Sequence, residues 1–264
     1  GLRDVIDEPE SVHRAWTADG AYDALGHHYD LALVYGQKDV FDSVAEYRIP
    51  ADVARKVVFT GYLHRNHART APDEIRRRLA PRTGRLVVVT VGGGGDGNLI
   101  LRSFLEGYAA LGPDAPFEAF VVTGPLMSPK KRARILASAG SIPGVVAVEH
   151  ADDMPALFRA ADLVVAMAGY NTICELACAG ARALLVPRVF PRREQIVRTE
   201  RLAARGVVRF LEPDQATPEA LMRAVSEGLE GPRPPRRWGL EFSGLDTTAA
   251  AILGRRGSAT ASFA

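Results

Sequence analysis

The sequence predicts an α/β protein built on a doubly wound, Rossmann-like parallel sheet. After Pro72, short apolar runs alternate with helical patterns, and a run such as Leu86–Val91 (LVVVTV) is apolar at almost every position. Continuous apolar runs indicate strands covered on both faces, which is typical of parallel β/α/β units. Four glycines and an amphipathic segment follow LVVVTV, indicating a strand, a tight turn and a helix start.

The alternation continues without interruption from residue 73 to residue 229. Strands are predicted at 85–91, 117–122, 145–148, 163–167, 183–186 and 207–211. Helices are predicted at 73–79, 98–111, 129–138, 154–160, 171–179, 194–205 and 218–229. We therefore expect residues 73–232 to form one doubly wound domain.

The residues before Pro72 predict a smaller unit. A helical pattern covers 8–26, strand patterns cover 31–35 and 57–60, and a short segment at 40–47 lies between them. These elements are too few for an independent domain, so we interpret residues 1–62 as the remnant of an amino-terminal α/β domain and expect a segment before Gly1. Residues 63–72 are polar, lack periodicity and end in proline, which indicates a linker.

The end of the chain is interpreted as a hinge followed by a helix and a tail, over residues 233–264. The hinge is signalled by the Pro- and Arg-rich text GPRPPRRWG at 231–239. A helical stretch at 245–253 is expected to pack away from the large domain, and residues 257–264 are expected to fray.

Composition argues against several classes of protein. The 264 residues carry a formal net charge of +2, which does not predict a nucleic-acid partner. No apolar run approaches the length of a membrane-spanning helix. Cys174 and Cys178 lie four apart in a helical pattern, and no histidine or further cysteine is near in the sequence, so we expect buried thiols, no metal site and a reducing, cytoplasmic compartment.

The segment Gly92, Gly93, Gly94 and Gly95 has the features of a phosphate-binding loop. Glycines allow positive φ and let a ligand approach main-chain N–H groups. The unpaired N–H groups and positive dipole end of the following helix attract anions. We interpret the segment as a cradle for a phosphate; the alternative is a strand-to-helix turn that only needs flexible residues.

The common nucleotide-binding signatures are incomplete around this loop. Gly92, Gly94 and Gly97 satisfy G-x-G-x-x-G, but that pattern alone is weak. A dinucleotide site also needs a carboxylate after the next strand, where this chain has Thr-Gly-Pro at 123–125. The lysine and hydroxyl residue of a P-loop are absent as well.

A second loop supplies a partner for the glycine segment. The strand at 163–167 is followed by Gly169, Thr172 and Glu175. Ligands of doubly wound sheets bind beyond the carboxyl ends of the strands, so two helix N-termini can hold one diphosphate while Glu175 accepts hydrogen bonds from a ribose. The alternative is a capping box, with Thr172 at the N-cap and Glu175 at N3.

Residues 149–195 resemble a known family. They read EHADDMPALFRAADLVVAMAGYNTICELACAGARALLVPRVFPRREQ. An acidic pair and Met before a helix, an Ala-Asp before a strand, a Gly-x-x-Thr-x-x-Glu turn and a Pro…Gln segment are similar to the carboxyl-terminal domain of family 28 (MurG-like) GT-B glycosyltransferases. The resemblance extends more loosely over 56–230, and residues 1–55 resemble the end of the amino-terminal domain of such enzymes.

The resemblance implies a site for a nucleoside-diphosphate sugar, most typically a UDP-sugar. Glu175 would hold the ribose hydroxyls, and Thr172, Gly169 and the loop Gly92–Gly95 would meet the diphosphate. The family often has Ser-Gln-Gly where this chain has Gly94-Gly95-Asp96. A carboxylate beside a phosphate is unexpected, so we expect Asp96 to cap the helix from Asn98 or to face the acceptor.

The resemblance also implies residues for the base and the sugar. His150 and Ala151 fall where the family holds the base, the latter through its main chain. Glu194 and Gln195 match the pair that reads donor-sugar hydroxyls; considered alone, they would be an exposed helix start after Pro191. His150 replaces a commonly apolar aromatic residue, so the preference for uridine stays open.

The implied reaction is displacement of a nucleoside diphosphate from an anomeric carbon with inversion. Main-chain donors and helix ends would stabilise the leaving phosphate without a metal or cofactor. The family places its general base and acceptor mostly in the amino-terminal domain, so no catalytic residue is named. The acceptor, whether a small molecule or lipid-linked, and peripheral contact with the inner face of the membrane stay open.

Two further functions are compatible with the same residues. One is a GT-B-like nucleotide-sugar hydrolase or epimerase, which would activate water or the sugar itself. The other is a non-catalytic nucleotide-sugar-binding subunit that needs a partner chain, or a missing amino-terminal domain, to act.

Overall fold

The computed structural model describes residues 1–64 and 68–260, without the side chains of residues 255–260. Part of the predicted linker at 63–72 therefore lies outside the described residues. The same holds for the end of the predicted tail at 257–264.

The amino-terminal part forms a three-stranded parallel sheet in the order β1-β2-β3. Its strands are β1 (Leu2–Arg3), β2 (Ala32–Tyr35) and β3 (Val57–Phe59). Its helices are α1 (Pro9–Ala18), α2 (Ala21–His28), α3 (Ser43–Glu46) and α4 (Ala51–Ala54). The single helix expected over 8–26 is two helices, because Gly20 adopts a left-handed φ of 68° that interrupts the helical path.

The larger sheet has six parallel strands in the order β6-β5-β4-β7-β8-β9. They are β4 (Leu86–Thr90), β5 (Glu118–Val122), β6 (Val145–Val148), β7 (Leu163–Ala166), β8 (Ala183–Leu185) and β9 (Arg209–Phe210). The helices are α5 (Pro72–Leu79), α6 (Asn98–Ala110), α7 (Pro129–Gly140), α8 (Met154–Ala160), α9 (Tyr170–Ala179), α10 (Glu194–Ala204), α11 (Pro218–Glu230) and α12 (Gly244–Thr260). Short 3-10 turns cover Pro213–Gln215 and Arg236–Gly239. The doubly wound parallel fold predicted from the sequence is confirmed.

Both faces of the larger sheet are covered, as its continuous apolar runs predict. Every residue of β4, β5, β7 and β8 is buried. Val88 packs in the hydrophobic cluster that holds α8 and α9, whereas Val87 and Val89 pack in the cluster that holds α6 and α11. Successive side chains of a strand point to opposite faces, which explains the two separate clusters.

The direction of winding reverses between β4 and β7, which are hydrogen-bonded neighbours. From β4 the chain proceeds outward to β5 and β6, and it then returns to β7 on the other side of β4. The helices after these two strands, α6 and α9, consequently lie on opposite faces of the sheet. Such a reversal opens a crevice at the carboxyl ends of the strands, which is where doubly wound sheets bind ligands.

A buried ion pair joins the two sheets. Arg198 of α10 donates from Nε and Nη2 to the carboxylate of Asp4, at 3.0 and 2.8 Å, and both side chains are almost fully buried. Its Nη1 donates to the Ala168 carbonyl oxygen at 2.9 Å. Farther along the chain, Ser243 Oγ donates to the Thr60 carbonyl oxygen at 3.0 Å, so the segment before α12 packs against the smaller sheet.

We expect Arg198→Met to lower the free energy of unfolding by about 3–5 kcal/mol, because it leaves the Asp4 carboxylate buried without its counter-charge. Urea unfolding followed by circular dichroism measures the change. The matched control is Arg201→Met on the same helix, whose ion pair with Glu46 is partly exposed and is worth at most about 1 kcal/mol. Equal effects of the two variants would contradict the role assigned to Arg198.

Candidate active site

The glycine loop after β4 has a specific shape that packing imposes. Gly92 and Gly94 adopt φ values of 60° and 92°. A Cβ atom at Gly94 would overlap the carbonyl oxygen of Thr123 in the neighbouring loop, and one at Gly97 would overlap Val91. Gly95, in contrast, has open space around its Cα. Part of the glycine content is thus explained by packing, as the alternative interpretation holds, whereas Gly95 leaves the main chain accessible.

The second loop meets the glycine loop at the same edge of the sheet. The Thr172 hydroxyl oxygen lies 3.6 Å from the Cβ position of Gly92 and 3.9 Å from that of Gly169. The helix α9 begins at Tyr170, with Gly169 as its N-cap and no side-chain cap. The capping-box alternative is therefore wrong, because Thr172 is already inside the helix.

A first cavity of about 320 Å³ opens where the two loops meet. It is lined by the glycine loop, by the start of α9 from Gly169 to Thr172, and by Arg3, Asp96, Arg188 and Gln195 among others. Every residue predicted to contact a diphosphate thus lines this cavity. The start of α9 turns its free N–H groups and positive dipole end toward this space.

A second cavity of about 330 Å³ adjoins the first and shares Gly92, Gly93 and Thr172 with it. His150, Ala151 and Glu175 line it as well, so the residues predicted for base and ribose lie together beside the loops. Met154 and Phe158 also line this cavity. The residues predicted for base, ribose and diphosphate thus line two adjoining cavities.

Glu175 is half-buried and faces the second cavity. Burial raises the pKa of its carboxyl group above the ordinary value. In the part of the chain that the structure describes, its carboxylate has neither a hydrogen-bond donor nor an ion-pair partner. A half-buried acceptor without a donor favours a ligand that carries hydroxyl groups.

Gln195 and Glu194 begin α10 and are not the exposed helix start that the sequence allowed. Gln195 is 7% exposed, and its Oε1 accepts hydrogen bonds from the main-chain N–H groups of Ala168 and Arg188, both at 3.1 Å. Glu194 Oε1 accepts from Arg188 Nη2 at 2.6 Å. Gln195 lines the first cavity, but Glu194 does not; it lines a third cavity of about 550 Å³.

Arg188 is a site residue that the sequence analysis missed. It follows β8, and its Nη1 donates to Asp96 Oδ2 at 3.0 Å. The expectation that Asp96 caps the following helix is wrong, because Gly97 is the N-cap of α6 and no side chain caps it. The sequence feature that could have indicated Arg188 is its position, because it follows the carboxyl end of a strand that is adjacent to β7.

Comparison with known proteins identifies the family. The family model described as the glycosyltransferase family 28 C-terminal domain matches residues 87–236 of this chain. The chain belongs to glycosyltransferase family 28. The resemblance predicted from residues 149–195 is thereby confirmed, and the matched residues include both loops of the first cavity.

Curated relatives match this family 28 chain over part of their length. The UDP-N-acetylglucosamine--N-acetylmuramyl-(pentapeptide) pyrophosphoryl-undecaprenol N-acetylglucosamine transferase of Glaesserella parasuis is 32% identical over 156 residues, which are 59% of this chain and 42% of that protein. An uncharacterized glycosyltransferase of Methanopyrus kandleri is 23% identical over 234 residues, which are 87% of this chain and 62% of that protein. The chain thus spans less than two thirds of either relative.

Solved structures show the same fold. The glycotransferase of kitacinnamycin superposes with a TM-score of 0.62 at 17% identity, over 94% of this chain and 64% of that one. MurG of Acinetobacter baumannii superposes with a TM-score of 0.59 at 17% identity, over 94% of this chain and 78% of that one. These likenesses confirm the GT-B type of fold predicted for the family 28 chain.

We expect Gly94→Ala to lower the free energy of unfolding by about 1–3 kcal/mol, because alanine is strained at this positive φ and its Cβ has no room. Gly95→Ala changes stability by no more than about 0.5 kcal/mol, since nothing obstructs its Cβ. Thermal unfolding of both variants measures the difference. A stable Gly94→Ala variant would show that the loop does not need this backbone shape.

Proposed function

We propose that this chain binds the donor substrate of a glycosyltransferase, a nucleoside-diphosphate sugar of the UDP-sugar type, and that the sugar is transferred with inversion and without a metal ion. The observation that carries the proposal is the meeting of the glycine loop with the start of α9. One continuous surface beside that meeting point leads to a half-buried carboxylate, Glu175, that has no donor among the described residues.

The first cavity supports binding of the diphosphate. Two helices, α6 and α9, begin at its edge, and each helix N-terminus carries about half a positive charge and unpaired N–H groups. The Thr172 hydroxyl and the open backbone at Gly95 add further donors. Fixed donors at a leaving group lower the barrier because charge grows on the leaving phosphate during the reaction.

The second cavity supports binding of the nucleoside. Ribose presents two neighbouring hydroxyl groups, and both can donate to a carboxylate such as Glu175. His150 and Ala151 line the same cavity, so a base attached to that ribose can lie beside them. Hydrogen bonds to a charged acceptor are worth about 1.5–3 kcal/mol, so Glu175 accounts for much of the nucleoside affinity.

The third cavity supports a place for the donor sugar and the acceptor. It adjoins the first cavity at Gly169, Tyr170, Arg188 and Gln195. Its other wall comes from the smaller sheet and α1, with Leu2, Ile6 and Trp16. Gln195, held by its Oε1, can present its amide nitrogen to sugar hydroxyls, and the mixed apolar and polar wall suits a small-molecule or lipid-linked acceptor.

The proposal includes a cytoplasmic protein without a metal cofactor. Within residues 1–64 and 68–260, no group of three or more His, Cys, Asp or Glu side chains is placed to hold a metal ion. None of the helices in the described part of the chain has the length and apolarity needed to cross a membrane. Cys174 and Cys178 are free thiols, as a reducing compartment favours.

We expect Glu175→Gln to weaken binding of uridine and UDP by about tenfold or more, because the ribose hydroxyls lose a charged acceptor worth about 1.5–3 kcal/mol. Isothermal titration calorimetry with UDP, and NMR titration with uridine, measure the affinities. The control is Glu200→Gln, an exposed residue of α10, which leaves both affinities unchanged.

The raised pKa of Glu175 predicts that the affinity for uridine depends on pH. Uridine is the probe because it has no phosphate group that would titrate as well. Because burial raises the pKa of Glu175, the carboxylate is fully present only above that raised pKa and is lost as the pH falls through it. Uridine affinity therefore declines on acidification at a higher pH than an ordinary glutamate would give. A pH-independent affinity in the wild type, or an unchanged profile in Glu175→Gln, would contradict the role of Glu175.

A donor-only incubation separates the proposed transferase from the alternatives. UDP-sugars are incubated with the chain, with and without EDTA, and products are separated by chromatography. We expect binding that EDTA does not change, and neither free sugar nor an isomeric sugar nucleotide. Free sugar would identify a hydrolase and an isomer an epimerase, whereas a second chain in native mass spectrometry of the purified complex would identify a binding subunit.

A further inference from the structure

Arg188 stands at the junction of the first and third cavities. Its main-chain N–H donates to Gln195 Oε1 at 3.1 Å, so the start of α10 holds its backbone. The side chain then reaches across the cavity mouth to the glycine loop, where it contacts Asp96. Its cationic side chain thus connects the end of β8 to the glycine loop.

The two ion pairs of Arg188 differ in their surroundings. Nη2 donates to Glu194 Oε1 at 2.6 Å, and the Glu194 side chain is 17% exposed. Nη1 donates to Asp96 Oδ2 at 3.0 Å, but the Asp96 side chain is 55% exposed. Exposed ion pairs contribute little free energy, so the contact with Asp96 is the one that a competing anion displaces readily.

The guanidinium group also retains unused hydrogen-bonding capacity. Its Nε is buried and has no acceptor within the described part of the chain, and Glu194 Oε2 likewise has no donor there. A buried donor without a partner is costly. Around Arg188, one donor and one acceptor are thus left unpaired in the described structure, so its two ion pairs do not use the full hydrogen-bonding capacity of these side chains.

The charges in the first cavity call for such a cation. A diphosphate linked at both ends carries a negative charge on each phosphate, and the carboxylate of Asp96 lies in the same cavity. Helix N-termini supply only partial charges, and Arg3, the other arginine that lines this cavity, is exposed and lies over the Tyr170 ring. An arginine offers a planar fork that matches phosphate oxygens in a bidentate manner.

We propose that Arg188 is a donor-binding residue that exchanges its ion pair with Asp96 for the diphosphate, while Glu194 keeps the guanidinium oriented. This inference rests on the proposed function, since it requires a nucleoside diphosphate in the first cavity. Glu194 is then a positioning residue, and Asp96 holds Arg188 only while the cavity is empty. The exchange sets how strongly the site prefers a diphosphate over a nucleoside.

The test compares Arg188→Gln and Asp96→Asn in the full 264-residue chain. The probes are UDP, dTDP, GDP and ADP, of which the one bound most tightly by the wild type is used together with its nucleoside. We expect Arg188→Gln to weaken binding of the diphosphate by about tenfold or more. We expect Asp96→Asn to strengthen that binding severalfold, because the competing carboxylate is gone. Neither variant changes the nucleoside affinity.

The opposite signs distinguish binding from a structural brace. If Arg188 and Asp96 only held the glycine loop in place, both variants would weaken binding of the diphosphate, and that outcome overturns the inference. An Arg188→Gln affinity within twofold of the wild type overturns it as well. The control is Arg102→Gln, which removes an exposed arginine paired with Glu106 on α6 and leaves the affinities unchanged.

A failure of the proposed function has a different signature. In that case the wild-type chain binds none of the four nucleoside diphosphates, and the inference falls with it. If the wild type binds one of them but Arg188→Gln has no effect, only the assignment of Arg188 is wrong. Arg188→Lys adds a final check, because it keeps the charge without the fork and should recover part of the affinity.

Discussion

The close approach of two loops across the reversal of the sheet is the constraint on which the site depends. Strands β4 and β7 are direct neighbours, yet the helices that follow them cover opposite faces. The chain therefore continues from these two loops toward opposite faces, and the crevice lies where the loops meet at the edge of the sheet. At the point where the two loops meet, the Thr172 hydroxyl in the first turn of α9 lies 3.6 Å from where a Cβ atom of Gly92 would stand.

The position of the glycine loop requires residues without side chains at particular points. Gly94 packs against the Thr123 carbonyl oxygen, and Gly124 in the next loop packs against Gly92 and Gly93. A side chain at either position would push the glycine loop away from the loop that follows β5. The glycines therefore serve two purposes: some allow the loops to pack, and Gly95 leaves the main chain open to a ligand.

The smaller sheet supports the same crevice from outside. Arg198 links Asp4 to the Ala168 carbonyl oxygen, which is part of the loop that leads into α9. The guanidinium of Arg3 lies 5.6 Å from the centre of the Tyr170 ring at the start of that helix. Residues 1–62 thus contribute to the position of the second loop and to the wall of the third cavity, whatever domain they are assigned to.

The sequence alone determined the doubly wound fold, the family and the two loops, because apolar periodicity and a spaced motif are properties of consecutive residues. The tertiary structure decided what depends on residues far apart in the chain. The pairing of Arg188 with Asp96, 92 positions away, and the place of Glu175 beside His150 and Ala151 in one cavity required knowledge of which side chains meet. Local patterns do not encode such meetings, because they arise only when the strands take their order in the sheet.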